Sequence, residues 1–281
     1  MPELPEVEII KQGLEKKIIG LKIQKIQVLS PKSFIGNPKL AMGQTVLKVW
    51  RRAKILGMDL DKVTLLFHMK MSGQLIWKGE SGKGKGERFI GGHPTPDMVD
   101  KMPNPHTRVI FTFSDGSHLY FNDQRKFGWI KISDGPLQDL GPEPLEKGFT
   151  WQILKQNLLR HKSMPVKVAV MDQSVVAGVG NIYANEACFV AKIDPRRKVA
   201  DLTDQEFKSL HRGVIRSLRE GIKYGGSTRV HFVDPEGRKG YFLDYAKVYG
   251  KEGYPCQGCP SKVKKITIGG RGTYFCPDCQ R

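Results

Sequence analysis

The chain opens Met1-Pro-Glu-Leu-Pro-Glu-Val-Glu8. Removal of Met1, which a small second residue favours, leaves Pro2 as a secondary amine with the carboxylates of Glu3 and Glu6 close along the chain. A secondary amine can attack a sugar carbon and form an iminium with no other nucleophile. It must be neutral to do so. A free α-amine titrates near pH ~8, and neighbouring cations lower that value. The same residue types also suit the first turn of a helix, Pro for its fixed φ and Glu for the helix dipole. On these eight residues both readings stand.

A second cluster lies at the other end. Four of the five cysteines form a Cys256-x2-Cys259-x16-Cys276-x2-Cys279 pattern. Two CxxC pairs at this separation suit four thiolates on one zinc ion. The alternatives are two disulfides or a redox pair. Between the pairs, Lys264–Ile268, Gly269-Gly270 and Arg271–Phe275 read as strand, two-residue turn and strand. Such a hairpin is too small to fold without its metal. Cys188 lies in an apolar helical stretch and reads as core.

These sites need a scaffold. A length of 281 residues points to two domains, and 39% hydrophobic content supplies cores. Lys and Arg total 46 against 28 Asp and Glu, a formal net charge of +18. That excess calls for a polyanion, DNA or RNA first and an anionic membrane surface second. The cations are spread along the chain, as on a folded basic surface. No run of about 18 apolar residues predicts a membrane span. No basic and apolar leader predicts secretion, so a cytoplasmic protein is expected.

Residues 6–19 read as an amphipathic helix with Val7, Ile10, Leu14 and Ile18 on one stripe. Short strands follow at Leu21–Leu29, Gln44–Trp50, Ile55–Asp59, Val63–His68, Arg108–Ser114 and Ser117–Asn122, the last two joined by a Ser114–Ser117 hairpin turn. The Gly- and Pro-rich stretch 79–107, with its basic Gly82–Gly86 segment, reads as a long loop. Helices are predicted at Trp151–Leu159, Met164–Asp172, Ile182–Val190 and Thr203–Tyr224. The fold class is therefore α+β and multidomain. A helix-capped β-sandwich occupies 1–135, a linker 136–150, a helical domain 151–249 and a zinc finger 250–281.

The spacing of several motifs is more specific than composition. Pro2-Glu-Leu-Pro-Glu6, Arg52-Ala-Lys54, Met71-Ser-Gly73, Asn122-Asp-Gln-Arg-Lys-Phe-Gly128, Gly178-Val-Gly-Asn-Ile-Tyr183, Gly225-Gly-Ser-Thr228 and Arg271-Gly-Thr273 occur in one order. In them the chain resembles the formamidopyrimidine-DNA glycosylases, bifunctional base-excision repair enzymes. The Leu-Pro-Glu-Val continuation separates it from the endonuclease VIII-like branch.

The resemblance implies a helix–two-turns–helix motif in the helical domain and one structural Zn²⁺ on the four cysteines. The expected partner is double-stranded DNA carrying an oxidised purine or an abasic site, bound by a monomer in a basic cleft between the domains. It further implies that Pro2 attacks C1′, that Glu3 protonates the opening sugar and that Glu6 positions the site. Lys54 would donate a proton in β-elimination, and Arg271 would act in δ-elimination. A guanidinium holds its proton tightly, so Arg271 is better suited to bidentate stabilisation of the leaving phosphate. Met71, Arg125 and Phe127 would fill the void left by the extruded nucleotide. His68, His106, Lys162 and Asn181 would contact DNA, and a loop near 225–240 would close over the base. Asn181 equally suits a helix N-cap, and His68 a buried strand end. Three features depart from the family pattern: the length of the 79–107 stretch, Arg108 in place of a second histidine, and the Ser-Thr-Arg-Val-His-Phe sequence of the closing loop. Three other functions fit part of the sequence. A DNA-binding zinc protein without catalysis, or an RNA-binding zinc ribbon, leaves Pro2, Glu3 and Lys54 without a role. A glycosylase without strand cleavage has no use for Lys54 and Arg271.

Overall fold

The computed structural model describes residues 1–79, 88–92, 101–133, 135, 140–227 and 241–281. The Gly82–Gly86 segment and the closing loop from Thr228 to Gly240 lie outside them. The chain divides into two compact units. One is Met1–Pro136; the other joins Leu137–Ser227 to Tyr241–Arg281.

The first unit starts with helix α1 (Leu4–Ile18). Its strands are β1 (Ile23–Val28), β2 (Phe34–Ile35), β3 (Val46–Arg52), β4 (Ile55–Leu60), β5 (Thr64–His68), β6 (Gly73–Lys78), β7 (Arg88–Gly92), β8 (Thr107–Phe113), β9 (His118–Asp123) and β10 (Trp129–Ser133). They form two five-stranded sheets, ordered β1-β8-β9-β6-β7 and β2-β10-β5-β4-β3. Leu56, Met58, Leu65 and Phe67 of one sheet meet Leu75, Val109, Phe111, Leu119 and Phe121 of the other in a single core. Phe67 and Phe111 bridge the sheets with ring centroids 5.9 Å apart.

Val7, Ile10, Leu14 and Ile18 of α1, the stripe read from sequence, are all in this core. The helix packs on β7, β3 and β4. It therefore covers the sandwich where the edge strands β3 and β7 would otherwise expose unpaired backbone. It begins two residues earlier than the apolar stripe requires, because Pro5 is tolerated in its first turn.

Four strands, β2, β6, β7 and β10, depart from the sequence reading, and the reason is plain for two of them. The stretch expected to be one loop contains β7, whose glycines disguise it. A Cβ on Gly91 would lie 2.4 Å from Ile10 Cγ1, so the missing side chain is what lets α1 lie on the strand. Strand β6 is buried at every residue but its last. A strand covered on both faces shows no alternation for the eye to catch.

The second unit holds α2 (Trp151–Leu158), α3 (Val166–Val170), α4 (Asn181–Ala191), α5 (Asp204–Lys223), α6 (Phe242–Tyr245) and the hairpin β11 (Lys264–Ile268) and β12 (Arg271–Phe275). Helix α5 starts with a capping box between Thr203 and Glu206. It packs along α4, and a Cβ on Gly213 would come within 2.5 Å of Ala187 O. Strand β12 packs against α4. Cys188 is buried in α4, and burial pushes its thiol up to about 12. Among the described residues no helix is long and apolar enough to cross a membrane.

Candidate functional site

Strand register gathers the predicted residues of the first unit. Leu56 pairs with Phe67, which sets the Lys54 turn beside the end of β5. His68 pairs with Trp129, Gly73 with Asp123, and Thr107 with Asn122. Lys54, His68, Met71, His106, Arg125 and Phe127 therefore collect at one end of the sandwich, on turns that follow or precede paired strand ends.

The start of α1 is tied to that end. Pro2 is buried, and Glu3 and Glu6 are 3% and 2% exposed. Glu6 Oε2 accepts from the Glu3 N–H at 2.8 Å, so Glu6 fixes the backbone beside Pro2. One turn further on, Arg51 Nε donates to Glu8 Oε2 at 3.0 Å, and its Nη1 donates to Ala53 O at 3.3 Å. This clamp joins α1 to the two-residue turn that carries Lys54. Ala53 holds φ 55°, an uncommon conformation for a residue with a Cβ, of the kind that concentrates at functional sites. Lys54 itself is 6% exposed.

His68 lies close enough to Lys54 to feel its charge. Burial, then Lys70 and Lys54, lowers its pKa from 6.5 to about 4. Its Nδ1 accepts the Lys70 N–H at 3.0 Å, which leaves the proton on Nε2. His68 is thus a neutral donor throughout the physiological range. The folded protein resists a proton that the unfolded chain accepts, so stability falls as pH drops from 6.5 towards 4. This group's share of the loss is about 3 kcal/mol. We expect His68→Gln to flatten the melting temperature between those pH values. An imidazole seen by NMR to titrate near its ordinary value would contradict this.

Three side chains project from the neighbouring turns. Met71 is 36% and Phe127 57% exposed, and Arg125 lies over the Phe127 ring at 5.1 Å from its centroid. Arg125 is exposed and His106 half-buried.

In the second unit, Gly180 rather than Asn181 is the N-cap of α4. Asn181 begins the helix, and its side chain is held at both ends. Its Oδ1 accepts from Lys167 Nζ at 2.5 Å, and its Nδ2 donates to Gly272 O at 3.1 Å. That second bond sets Asn181 beside Arg271. Asn185 adds to the grip, its Oδ1 accepting the Tyr274 N–H at 2.7 Å. Arg271 is exposed where β12 leaves the Gly269-Gly270 turn, both glycines at positive φ, 56° and 70°. Lys162 is exposed on the turn before α3 and has no contact with the Asn181 group among those the structure shows.

Sequence reasoning missed Lys167, Arg51, Ser72 and Asp123. Lys167 is fully buried. A lone charge in the apolar run Val166–Val170 was the signal available for it.

The four C-terminal cysteines come together. Their sulfurs all lie within 4.8 Å of one another, with Cys259–Cys276 at 3.4 Å and Cys256–Cys279 at 3.7 Å. A tetrahedral site with metal–sulfur bonds of about 2.3 Å has sulfurs about 3.8 Å apart. Backbone N–H groups of Gly258 and Cys279 point at Cys256 Sγ and Cys276 Sγ at 3.3 and 3.4 Å. A Cβ on Gly258 would approach Cys279 Sγ to 3.3 Å, so the knuckle closes around the sulfurs as a metal cradle does. The cluster is positioned to bind a metal ion.

A sandwich with a buried N-terminal acid pair and a helical unit ending in a cysteine cradle define a two-part architecture with known counterparts. Residues 1–130 match the formamidopyrimidine-DNA glycosylase N-terminal domain. Residues 140–232 match the formamidopyrimidine-DNA glycosylase H2TH domain. The chain belongs to the formamidopyrimidine-DNA glycosylase family. It is 38% identical over 295 residues to the formamidopyrimidine-DNA glycosylase of Pelotomaculum thermopropionicum, covering 100% of this chain and 99% of that one. The corresponding protein of Exiguobacterium sibiricum is 36% identical over 293 residues, with 100% and 99% covered. Among solved structures, the G226P mutant of Lactococcus lactis FPG, in complex with a Fapy-dG containing DNA, aligns with TM-score 0.85 and 31% identity over 100% of both chains. MutM (FPG) of Thermus thermophilus aligns with TM-score 0.83 and 35% identity, covering 99% of this chain and 98% of that one.

Proposed function

We propose that this protein excises oxidised purines, 8-oxoguanine and formamidopyrimidines, from duplex DNA and then cuts the abasic strand by β,δ-elimination. The observation that carries the reading is the clamp of Arg51 on Glu8 and Ala53. It ties the helix that starts at Pro2 to the turn that bears Lys54, at the sandwich end where Met71, Arg125 and Phe127 project.

In this reading the Pro2 amine, freed of Met1, attacks C1′. The bond to the base breaks and the base leaves with its electron pair. Glu3 gives a proton to the opening sugar ring, and the iminium forms between Pro2 and C1′. Glu6 is already engaged on the Glu3 N–H, so its role is to hold this backbone still. In β-elimination C2′ loses a proton to solvent base and the C3′–O bond breaks, the 3′ phosphate leaving with the electron pair; Lys54 donates a proton to that leaving phosphate. Arg271, next to Gly272 and Asn181, stabilises the departing phosphate of δ-elimination with its forked donors. Water then releases Pro2.

The nucleotide must leave the stack before any of this. Phe127 unstacks the neighbouring bases, Met71 fills the void and Arg125 donates to the orphaned base. His68 and Asn181 hold phosphates, and His106 and Lys162 contact the DNA. Residues 1–135 thus carry the nucleophile and the proton-transfer groups, Arg271 of 250–281 meets the departing phosphate, and 151–249 grip the backbone and include the closing loop. The segment 250–281 holds one structural Zn²⁺ on Cys256, Cys259, Cys276 and Cys279. When bound, the metal supplies folding energy to a hairpin with little core of its own.

The test is product analysis on a duplex with one 8-oxoguanine opposite cytosine. Free 8-oxoguanine and a strand gap with phosphate on both sides are expected. A duplex that is bound but left uncut would favour a binding protein on the same fold.

A further inference from the structure

Asp123 ends β9 with its side chain fully buried. One carboxylate oxygen, Oδ1, accepts from Ser72 Oγ at 2.5 Å and from the Arg125 N–H at 3.2 Å. The other, Oδ2, accepts the Gly128 N–H at 2.6 Å. Ser72 Oγ in turn accepts the Arg125 N–H at 3.0 Å. The backbone of Asp123 reaches further. Its N–H donates to His106 O at 2.9 Å, and its carbonyl accepts from Arg108 Nε at 2.8 Å. One residue therefore fastens the turn bearing Met71, the loop bearing Arg125 and Phe127, and the chain entering β8.

The two turns need a fastener. Lys70 and Lys126, one in each, hold φ of 49° and 57°. Left-handed conformations in residues with a Cβ persist where the surroundings over-determine them. Gly128 is drawn down so far that a Cβ there would lie 2.8 Å from Phe121 Cζ and 3.0 Å from Asp123 Oδ2. A buried carboxylate is itself tolerated only when its oxygens are bonded, so the loops and the acid hold each other in one arrangement.

We infer that Asp123, working with Ser72, is a positioning residue that presets Met71, Arg125 and Phe127 as one rigid insert. It governs the extrusion step on duplex DNA and leaves the covalent step at Pro2 to other groups. The inference rests on the proposed function, since it assigns those three side chains to the void.

Two variants and two substrates separate this role from plain stability. Asp123→Asn places a donor where one of the N–H groups or Ser72 needs an acceptor; Ser72→Ala removes only the bridging hydroxyl. One substrate is the 8-oxoguanine duplex. The other is a single-stranded oligonucleotide with a preformed abasic site, which needs no extrusion. Misplaced positioning groups cost on the order of a hundredfold. We expect about that loss of base release for Asp123→Asn on the duplex, with about a tenfold smaller loss of strand cutting on the single strand. Ser72→Ala should lose about three- to tenfold with the same bias towards the duplex. Phe127→Ala should add less to Asp123→Asn than it costs alone, the mark of residues acting as a unit. A 2-aminopurine beside the lesion should lose its unstacking signal in both variants.

Equal slowing on the two substrates, or rates equal to the unaltered protein, would overturn the inference. If Asp123→Asn fails to fold, Ser72→Ala decides. An unaltered protein that releases no base from the duplex would instead sink the proposed function.

Discussion

Protein that keeps Met1, or whose Pro2 amine is formylated after purification, is expected to lose base release and strand cutting together. The loss should reach three orders of magnitude or more, roughly the scale seen when a covalent nucleophile is removed. Blocking adds no bulk to the sandwich core, because Met1 is 37% exposed, so folding and duplex affinity should survive. Glu3→Gln should behave differently. It removes the ring-opening acid, needed while the base is attached, and leaves the amine. Base release should fall by about two orders of magnitude or more, the usual weight of a positioned general acid. Cutting of a preformed abasic site, whose sugar is already open in part, should fall far less. Single-turnover assays on the two substrates check both expectations. Parallel losses in Glu3→Gln would show that Glu3 acts only as the helix cap its position also allows.

Removing the metal should produce the second large effect. Structural zinc contributes about 10 kcal/mol or more to small cysteine-held units at neutral pH. The two strands β11 and β12 stand alone as a sheet, so without metal the hairpin should unfold. It would take Arg271 with it and free Asn181 from Gly272 O, a bond now 3.1 Å long. Chelation, or Cys256→Ser with Cys279→Ser, should weaken duplex binding by at least about tenfold. Loss of a few phosphate contacts accounts for that much. Zinc content measured beside fluorescence anisotropy tests this. Full affinity in a metal-free protein would mean that the cysteines serve another purpose.

Much of this was legible in the sequence, and for a definite reason. The α1 stripe and the cysteine-flanked hairpin are local patterns. Val7, Ile10, Leu14 and Ile18 recur at helical spacing and end in one core. The Gly269-Gly270 turn sets Ile268 opposite Arg271, the register that two glycines at positive φ impose. The motifs around Pro2, Lys54, Arg125 and Asn181 could be read because each is contiguous. What holds them in place could not. Ser72 and Asp123 are 51 residues apart, and Arg51 and Glu8 are 43 apart. No periodicity reports such pairs. Strand β7 was hidden by its glycines, one of which, Gly91, admits Ile10. Lys167 was hidden by its apolar neighbours, although a buried cation among them is what orients Asn181. Local spacing names the chemical groups; long-range hydrogen bonds decide how firmly each is aimed.

Two amines compete for the role of nucleophile. Pro2 is buried at the start of α1, and Lys54 is buried in the turn clamped to that helix. Met1-free protein should be reacted with the 8-oxoguanine duplex in borohydride, digested, and the DNA-bearing peptide sequenced by mass spectrometry. The sugar remnant is expected on the nitrogen of Pro2 in the N-terminal peptide. A remnant on Lys54, with Pro2 unmodified, would contradict it.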